Sequence, residues 1–407
     1  MATNAKWSTP NQYPWYVGTN SAFITKTHAA SDVLATRRKE FARLTNEMWD
    51  YYPIKQLAAK KTLLRRIGKT MRRQIENFYG FPEYVLLMSG STVSGLATKG
   101  SDVDMVILAD PLRGQPEQEC QRAYLRDLAY RISQDQSFQD LIGGMPLAIN
   151  ASIPLLKFVA DIRGHPVECD LSVACNQEAF VSSHHNSFLI RKYVEFDARV
   201  APLCMIVKKW AKNYGVYGPM HCRFNSYAIV MLVLHFLQCG VSPPVIPNLI
   251  PLYPGYFACG EQDFPHRVDY HAPPPDPFPE DEPRNESNLG ELFYLFCLYY
   301  KEFDFAATSI DMRKAEARPR DDRDRDQPQS PLVVLKDPID THNPARTVRR
   351  KKDDICEDPI CVDLHGGPMH PFEQIKDSFS AMVHHFESTN VPLQSLSRLM
   401  LENIWGD

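Results

Sequence analysis

The stretch LLMSGSTVSGLATKGSDVDMVIL, residues 86–108, decides the fold. It begins and ends with short apolar runs, which predict buried β-strands. Gly90 and Ser91 directly follow the first strand, and Asp102 and Asp104 lead into the second. Side chains two residues apart in a strand point to the same face, so we expect the two carboxylates to lie side by side.

This spacing indicates phosphate chemistry. Two neighbouring carboxylates repel each other unless a positive charge lies near them. Mg²⁺ supplies such a charge, because it prefers oxygen ligands together with substrate phosphates. The Gly-Ser turn adds a backbone that a phosphate can approach closely and a hydroxyl donor. A D-x-D pair alone is common, and so is a Gly-Ser turn. Their order here, with ten residues between them and a strand on each side, is far more specific.

A third acid is expected, because two-metal phosphoryl transfer needs ligands for the ion that activates the attacking hydroxyl. The strand-like run PVECDLSVA, 166–174, supplies Asp170. Glu168 lies on the same face of that strand and is an alternative ligand. The competing interpretation is a solvent-facing acid in an edge strand, and the upstream motif argues against it.

Bulk composition limits the class of protein. The chain has 407 residues, 44% of them hydrophobic, and a net charge of −4, which predicts a soluble protein of two or three packed units. No apolar run approaches the roughly 18 residues that span a bilayer, and the N-terminus has no targeting pattern. The ten cysteines are scattered without a disulfide-like framework. We therefore expect a cytoplasmic protein with no membrane association.

Several motifs together resemble a known family. The Gly-Ser turn, the D-x-D pair and a later acid in a strand resemble the DNA polymerase β nucleotidyltransferase superfamily. The segments 206–238 and 289–305 resemble the helical central domain of cytoplasmic poly(A) polymerases and terminal uridylyltransferases. The segment DPIDTHNPARTV, 337–348, resembles their nucleotide-recognition loop. The germline-development class of cytoplasmic poly(A) polymerases fits best, and the resemblance covers roughly 80–400 apart from two insertions.

The resemblance implies a role for each matching residue. Asp102, Asp104 and Asp170 are the expected catalytic residues and ligands of two Mg²⁺ ions, with Mn²⁺ as a substitute. The expected nucleotide-binding residues are Gly90 and Ser91 at the triphosphate, Lys208 and Lys212 at the β- and γ-phosphates, Asn186 at the sugar, Ser226 and Tyr227 at the phosphate tail and base, and Asp340, His342 and Asn343 in the recognition loop.

The residues by themselves also allow other interpretations of these positions. Lys208 and Lys212 are four residues apart, so both point from one helix face, and such a pair is more often simply solvated. Asn186 and Tyr227 have core or capping roles as the alternative. Where the family often has a second serine, this chain has Asn225.

The hydrophobic pattern predicts a helix over 117–142, strands over 147–150, 154–162 and 166–174, and helices again from Asn186 to Gln238. This order gives an α/β or α+β unit over roughly 79–180.

The resemblance implies an α+β fold. It comprises a polymerase β-like nucleotidyltransferase domain, with a mixed sheet and helices, and a mainly helical central and PAP-associated domain, two lobes with the active site in the cleft. The Pro-rich tract 242–286 is interpreted as an irregular surface connection, and the charged tract 313–330 as an insertion too polar to order itself. The predicted divisions are an extended arm at 1–30, helices packing with the central domain at 31–78, the catalytic domain at 79–185 and the helical domain at 186–407.

The predicted function is template-independent addition of adenylate from ATP to the 3′ end of mRNA. Asp337 to Asn343 has the shorter, adenylyl-type spacing, but uridylyl-specific relatives have a histidine in this loop and His342 is present here. A uridylyltransferase is therefore one alternative. A catalytically inactive scaffold that binds RNA or protein is another, and three intact acids argue against it. A synthase of small oligoadenylates fits the helical segments less well.

The predicted partner is a separate RNA-binding protein subunit. The net charge of −4 provides little positive field for RNA, and the sequence shows no RNA-recognition motif or KH signature. The germline-development polymerases work with such a subunit. The resemblance therefore implies one that recruits the RNA and stimulates the enzyme.

Overall fold

The computed structural model describes the residues that the following ranges cover: 30–51, 85–97, 101–108, 117–140, 142–150, 154–161, 166–174, 177–218, 223–252, 284–320, 333–339, 371–388 and 393. The chain forms two compact units. We call Pro53–Glu195 with Cys259–Pro273 the sheet unit, and Met1–Tyr52, Phe196–Ala258 and Pro274–Asp407 the helical unit.

The described helices and strands confirm the predicted α+β fold. The helices are α1 (Arg38–Tyr51), α2 (Gly90–Ser94), α3 (Glu117–Gln134), α4 (Gln136–Gln139), α5 (Gln177–Phe196), α6 (Val200–Asn213), α7 (Ser226–His235), α8 (Leu249–Leu252), α9 (Leu289–Glu302) and α10 (Pro371–Glu387). A π-helical segment, Phe236–Gly240, continues α7. The strands are β1 (Val85–Ser89), β2 (Val103–Leu108), β3 (Leu147–Ile149), β4 (Leu155–Asp161), β5 (Pro166–Ala174), β6 (Thr308–Asp311), β7 (Glu316–Pro319) and β8 (Leu335–Lys336).

A mixed five-stranded sheet organises the sheet unit, with the strand order β1-β2-β5-β4-β3. β2 and β5 are parallel, and the other neighbouring pairs are antiparallel. The two strands predicted around the Gly-Ser turn are confirmed as β1 and β2, and the three later predicted strands as β3, β4 and β5.

Alternating side chains give this sheet one apolar and one polar face. The apolar face packs against helices α3 and α4 and forms the core of the unit. In β2 and β5 the residues on that face include Val103, Met105, Cys169 and Leu171, each no more than 1% exposed. The residues between them, including the predicted acids, must therefore point to the opposite face, because successive strand side chains alternate.

Aromatic packing around one tryptophan organises the helical unit. Trp210 of α6 is fully buried, and its ring centroid lies 4.9 Å from that of Phe379 in α10. Phe293 and Phe296 of α9 contact the same indole edge-on. Asn288 begins α9 with a capping box, because its side chain accepts from the Glu291 amide and the Glu291 carboxylate accepts from the Asn288 amide.

The interpretation of 242–286 as a surface connection is wrong for its first residues. Residues 242–252 are described, and Ile246 and Leu249 in this segment are fully buried. Asn248 is also buried and donates to the backbone oxygen of Arg313 at 2.9 Å. Apolar side chains between the prolines therefore anchor the segment in the core. Residues 253–283 lie outside the described ranges.

The prediction that 313–330 is too polar to order itself is wrong for residues 313–320. β6 and β7 form an antiparallel hairpin across this stretch, and β8 pairs with β6. Arg318 of β7 pairs with Asp311 of β6 and lies 3.1 Å from Glu316. The mixed signs of charge satisfy one another across the hairpin, which composition alone does not reveal. Residues 321–332 lie outside the described ranges.

Helix boundaries also differ from those predicted. The single helix predicted over 117–142 is two helices, α3 and α4, with a break at Asp135. The helical pattern predicted from Asn186 begins earlier, because α5 starts at Gln177. The described cysteines are buried free thiols. Within the described ranges, no helix has both the length and the apolar character needed to cross a membrane.

Replacing Trp210 with alanine should lower the free energy of unfolding by about 3–5 kcal/mol, because a large buried aromatic leaves a cavity among other rings. Urea denaturation followed by circular dichroism measures this loss. The exposed Asp377 on α10 offers a matched control, and its change to alanine should cost less than about 0.5 kcal/mol. A Trp210→Ala protein as stable as this control would contradict the assignment of the core.

Candidate active site

Three predicted acids lie on the polar face of the sheet. Asp104 and Asp170 are register partners on the neighbouring parallel strands β2 and β5. Asp102 stands just before β2, two residues from Asp104. The strand pairing therefore brings together the D-x-D pair and the later acid, although 65 residues of chain separate Asp104 from Asp170.

Gly90 lies directly against one of these acids. Its φ is +67°, a backbone conformation that favours glycine. A Cβ atom built on Gly90 would lie 1.9 Å from Oδ2 of Asp104, far inside van der Waals contact. The pairing of Ser89 with Asp104 in the β1–β2 ladder fixes this close approach. The glycine of the Gly-Ser motif is therefore required by the adjacent carboxylate as well as by the turn.

Helix α5 holds the Gly-Ser turn from behind. The Gly90 amide donates to Oγ of Ser187 at 2.8 Å. Nδ1 of the buried His184 lies 3.2 Å from the backbone oxygen of Met88, which accepts its proton. Burial lowers the pKa of His184 to about 4, so this imidazole is neutral at physiological pH. Since the Gly90 amide is bonded to Ser187, we expect the following amides, beginning with Ser91, to contact a phosphate.

Asn186, the predicted sugar contact, lies on α5 between these two bracing residues and is buried. Its neighbour Ser187 accepts a hydrogen bond from the Gly-Ser turn. The helix that carries Asn186 therefore contacts the turn that contains Ser91. The structure thus places Asn186 in the sheet unit together with the three predicted acids.

Lys157 of β4 places one positive charge among these acids. Its Nζ lies 3.1 Å from Glu168 and 3.7 Å from each of Asp102 and Asp170. The hydrogen bond to Glu168 raises the pKa of Lys157 above its ordinary value, and the nearby acids reinforce the shift. Burial raises the pKa of Asp170, and Lys157 opposes that effect.

The donor set of the polar face fits a hard divalent cation. Its ligand atoms are carboxylate oxygens, which Mg²⁺ prefers. Oδ1 of Asp170 is buried and has no hydrogen-bond partner, so it has a free acceptor site beside the positive charge of Lys157. Within the described ranges no three His, Cys, Asp or Glu side chains already stand as a metal site.

Lys208 and Lys212, the predicted phosphate contacts, lie on α6 of the helical unit. Lys208 is half-buried and Lys212 is exposed. Nζ of Lys212 lies 5.2 Å from the ring centroid of Tyr217, within the range of a cation–π contact. That contact restrains the exposed lysine without neutralising it.

Ser226 and Tyr227 are the first two residues of α7. Asn225 precedes them as the N-cap, and its side chain accepts from the Ala228 amide at 2.8 Å. Serine and asparagine are both strong N-caps, so the asparagine at this position preserves the helix start. The Tyr227 hydroxyl donates to Oδ2 of Asp337 at 2.8 Å.

Asp337 connects this tyrosine to the predicted recognition loop. It is buried, and its other oxygen accepts from the amide of Ile339 at 2.8 Å. The orientation of the Tyr227 ring is thus coupled to the start of the loop. The remaining predicted loop residues, Asp340, His342 and Asn343, lie outside the described ranges.

Sequence reasoning did not single out Lys157 or Ser187, and it used Asp337 only to mark the start and length of the recognition loop. A signal was present for Lys157, because it is the one basic residue in the run LLKFVAD and alternation puts it on the polar face. Ser187 and Asp337 act through long-range hydrogen bonds, and nothing local in the sequence indicates their partners.

This sheet, with acids on adjoining strands beside a Gly-Ser turn, defines a polymerase β-like nucleotidyltransferase fold, and solved structures agree. A structure of a GLD-2/RNP-8 complex matches with a TM-score of 0.63 and 22% identity, covering 88% of this chain and 98% of that one. A mutant Cid1 poly(U) polymerase bound to MgATP matches with a TM-score of 0.60 and 22% identity, with the same coverage. Polymerases of this fold use divalent metal ions.

Sequence comparison gives the family. The poly(A) RNA polymerase, mitochondrial-like, central palm domain matches residues 44–195, and the Cid1 family poly A polymerase model matches 288–343. Poly(A) RNA polymerase GLD2 of Homo sapiens is 31% identical over 314 residues, which are 75% of this chain and 60% of that protein. The Mus musculus protein is 32% identical over 299 residues, which are 72% of this chain and 57% of that protein. The chain is therefore similar to poly(A) RNA polymerases over these segments, and it spans about 60% of the length of the two relatives.

Changing Gly90 to alanine should reduce nucleotide addition at least about a hundredfold, because the new methyl group displaces Asp104 from its position. Gly95 is a matched control, since its φ is +83° and a Cβ there would meet nothing closer than 3.6 Å. Gly95→Ala carries the backbone strain of about 1–2 kcal/mol without the clash. Primer extension by both folded variants is the measurement, and equal activities would show that the contact with Asp104 is unimportant.

Proposed function

We propose that this chain is a template-independent RNA adenylyltransferase that extends the 3′ end of mRNA with ATP. The observation that carries the proposal is the pairing of Asp104 with Asp170 on neighbouring parallel strands, with Asp102 beside them. The family and the GLD2 relatives support the same activity.

The proposed metal ligands are these three carboxylates, with two Mg²⁺ ions and Mn²⁺ as a substitute. Bound divalent ions supply an activated RNA hydroxyl and a neutralised pyrophosphate leaving group. The chain's own contribution is position and charge. Asp170 is held against Asp104 by the β2–β5 ladder, and the Gly-Ser turn is held by Ser187, so little reorganisation is needed as the reaction proceeds.

Further nucleotide contacts are proposed for residues of the helical unit. Lys208 and Lys212 bind the β- and γ-phosphates, and Tyr227 stacks on the base with Ser226 at the phosphate tail. Support comes from the helix that carries both lysines and from the hydrogen bond that orients the Tyr227 ring. A ring fixed by Asp337 loses little freedom when a base stacks on it, which favours binding.

We further propose a cytoplasmic location and a separate RNA-binding protein subunit. The net charge of −4 supports the need for such a partner, because a weak positive field holds RNA weakly. The structural similarity to a GLD-2/RNP-8 complex also supports it. A uridylyltransferase is the second candidate, favoured by His342 in the recognition loop and by the fold similarity to the Cid1 poly(U) polymerase.

Replacing Asp104 or Asp170 with asparagine should reduce primer extension at least about a thousandfold, because losing a metal ligand removes several kcal/mol of barrier reduction. The assay is extension of a labelled oligo(A) primer with ATP and Mg²⁺. Asp127→Asn is the matched control, because Asp127 is half exposed on α3 and pairs with Arg131 away from the acids. Substantial activity in a folded Asp104→Asn protein would rule out the metal assignment.

ATP should be incorporated at least about tenfold more efficiently than UTP, a difference of about 1.4 kcal/mol that one or two hydrogen bonds can supply. The test incubates the labelled oligo(A) primer with each of the four nucleotides separately in Mg²⁺. His342→Ala should change the ATP-to-UTP ratio less than an insertion of one residue between Asp337 and Asn343. Preference for UTP would select the uridylyltransferase.

A further inference from the structure

One lysine joins three acids on the polar face of the sheet. Lys157 is the register partner of Asp170 in the β4–β5 ladder, so its side chain stands on the same face as the proposed metal ligands. Its Nζ reaches Asp102 and Asp170 at 3.7 Å and Glu168 at 3.1 Å. Only the contact with Glu168 has the length of a hydrogen bond.

The three acids differ in solvent exposure and in whether they are proposed metal ligands. Asp170 is mostly buried and Asp102 is 38% exposed, and both are proposed metal ligands. Glu168 is 56% exposed and lies outside that set. A lysine stem is flexible, and Lys157 is 38% exposed, so its ammonium can stay with Glu168 while leaving the two aspartates.

A single ammonium and a divalent ion compete for these aspartates. The ammonium neutralises one charge from 3.7 Å, whereas Mg²⁺ binds carboxylate oxygens at about 2.0–2.1 Å and carries twice the charge. The two cations repel each other if both lie between the same carboxylates. Glu168 gives the ammonium an alternative partner at the edge of the cluster.

We propose that Lys157 is a positioning residue that acts as an internal counter-ion, holding Asp102 and Asp170 together without a divalent ion and shifting to Glu168 alone when one binds. This inference rests on the proposed function, since it concerns the same carboxylates. It gives Lys157 and Glu168 linked roles: the lysine stabilises the metal-free protein and weakens metal binding, and the glutamate limits that weakening.

The experiment measures metal binding and stability in the full chain without substrate. Mn²⁺ titrations followed by electron paramagnetic resonance give the affinity, and thermal melting with and without Mn²⁺ gives the stability. Lys157→Met should lower the melting temperature of the metal-free protein, because the acids lose their counter-charge. The same variant should bind Mn²⁺ about tenfold more tightly, because a competing charge about 4 Å away is removed. Lys157→Arg keeps the charge and should resemble the unmodified protein in both respects.

A double-mutant cycle tests the link between the two residues. Glu168→Gln should weaken Mn²⁺ binding severalfold in the unmodified chain and much less in the Lys157→Met background, because the alternative partner matters only when the lysine is present. Lys301→Met is the matched control, since Lys301 is 33% exposed in the helical unit, and it should change neither the affinity nor its response to Glu168→Gln.

The outcomes separate the two proposals. If the unmodified chain binds no Mn²⁺ and is not stabilised by it, both the metal assignment and this inference fail. If it binds Mn²⁺ but Lys157→Met binds equally or more weakly, or if the effects of Lys157→Met and Glu168→Gln simply add, only the role of Lys157 fails. Should Lys157→Met not fold, Lys157→Gln provides the same comparison, because its amide keeps a hydrogen-bond donor but no charge.

Discussion

Electrostatic repulsion among carboxylates on one face of a sheet is the constraint on which the site depends. Asp104 and Asp170 are adjacent because β2 and β5 pair in one register, and that register is set on the other face. There Met105 and Leu171 are buried in the core. A slip of one residue would move the acids into that core and the apolar side chains into water. Hydrophobic burial therefore provides the free energy that holds like charges together.

The same constraint explains the turn that precedes the acids. Glycine is the only residue that leaves room for Oδ2 of Asp104 beside the backbone at position 90. Its amide donates to Oγ of Ser187. His184 fixes the strand two residues earlier through the Met88 carbonyl. The turn is thus held by one helix from behind and limited by one carboxylate in front, so it has little freedom to deform around a phosphate.

The local part of this site was predictable from the sequence, and the long-range part was not. Strand, Gly-Ser turn and D-x-D lie within 86–108, and local alternation was enough to predict their arrangement. Glu168 and Asp170 share a face, so alternation cannot separate them. The parallel register of β2 and β5 distinguishes them, because it pairs Asp170 directly with Asp104. Lys157 is a second such case, since its partners Asp102 and Glu168 are distant from it in the sequence.

The predictions for the charged and the proline-rich segments were wrong for a related reason. Composition measures how much apolar surface a segment contributes on average, but folding depends on contacts between particular side chains. Arg318 and Asp311 form an ion pair within the charged hairpin, and Ile246 and Leu249 are fully buried in a segment rich in proline.

In the helical unit, a few hydrogen bonds likewise fix the position of a single aromatic side chain. Tyr227 stands at the first turn of α7, where the Asn225 cap fixes the backbone, and its hydroxyl is fixed by Asp337. Asp337 uses its second oxygen to hold the Ile339 amide, so one carboxylate sets both the ring and the chain that leads into the recognition loop. A change in the loop that moved Asp337 would therefore also move the ring. Under the proposed function, base choice is therefore expected to depend on the tyrosine, the aspartate and the length of the loop together.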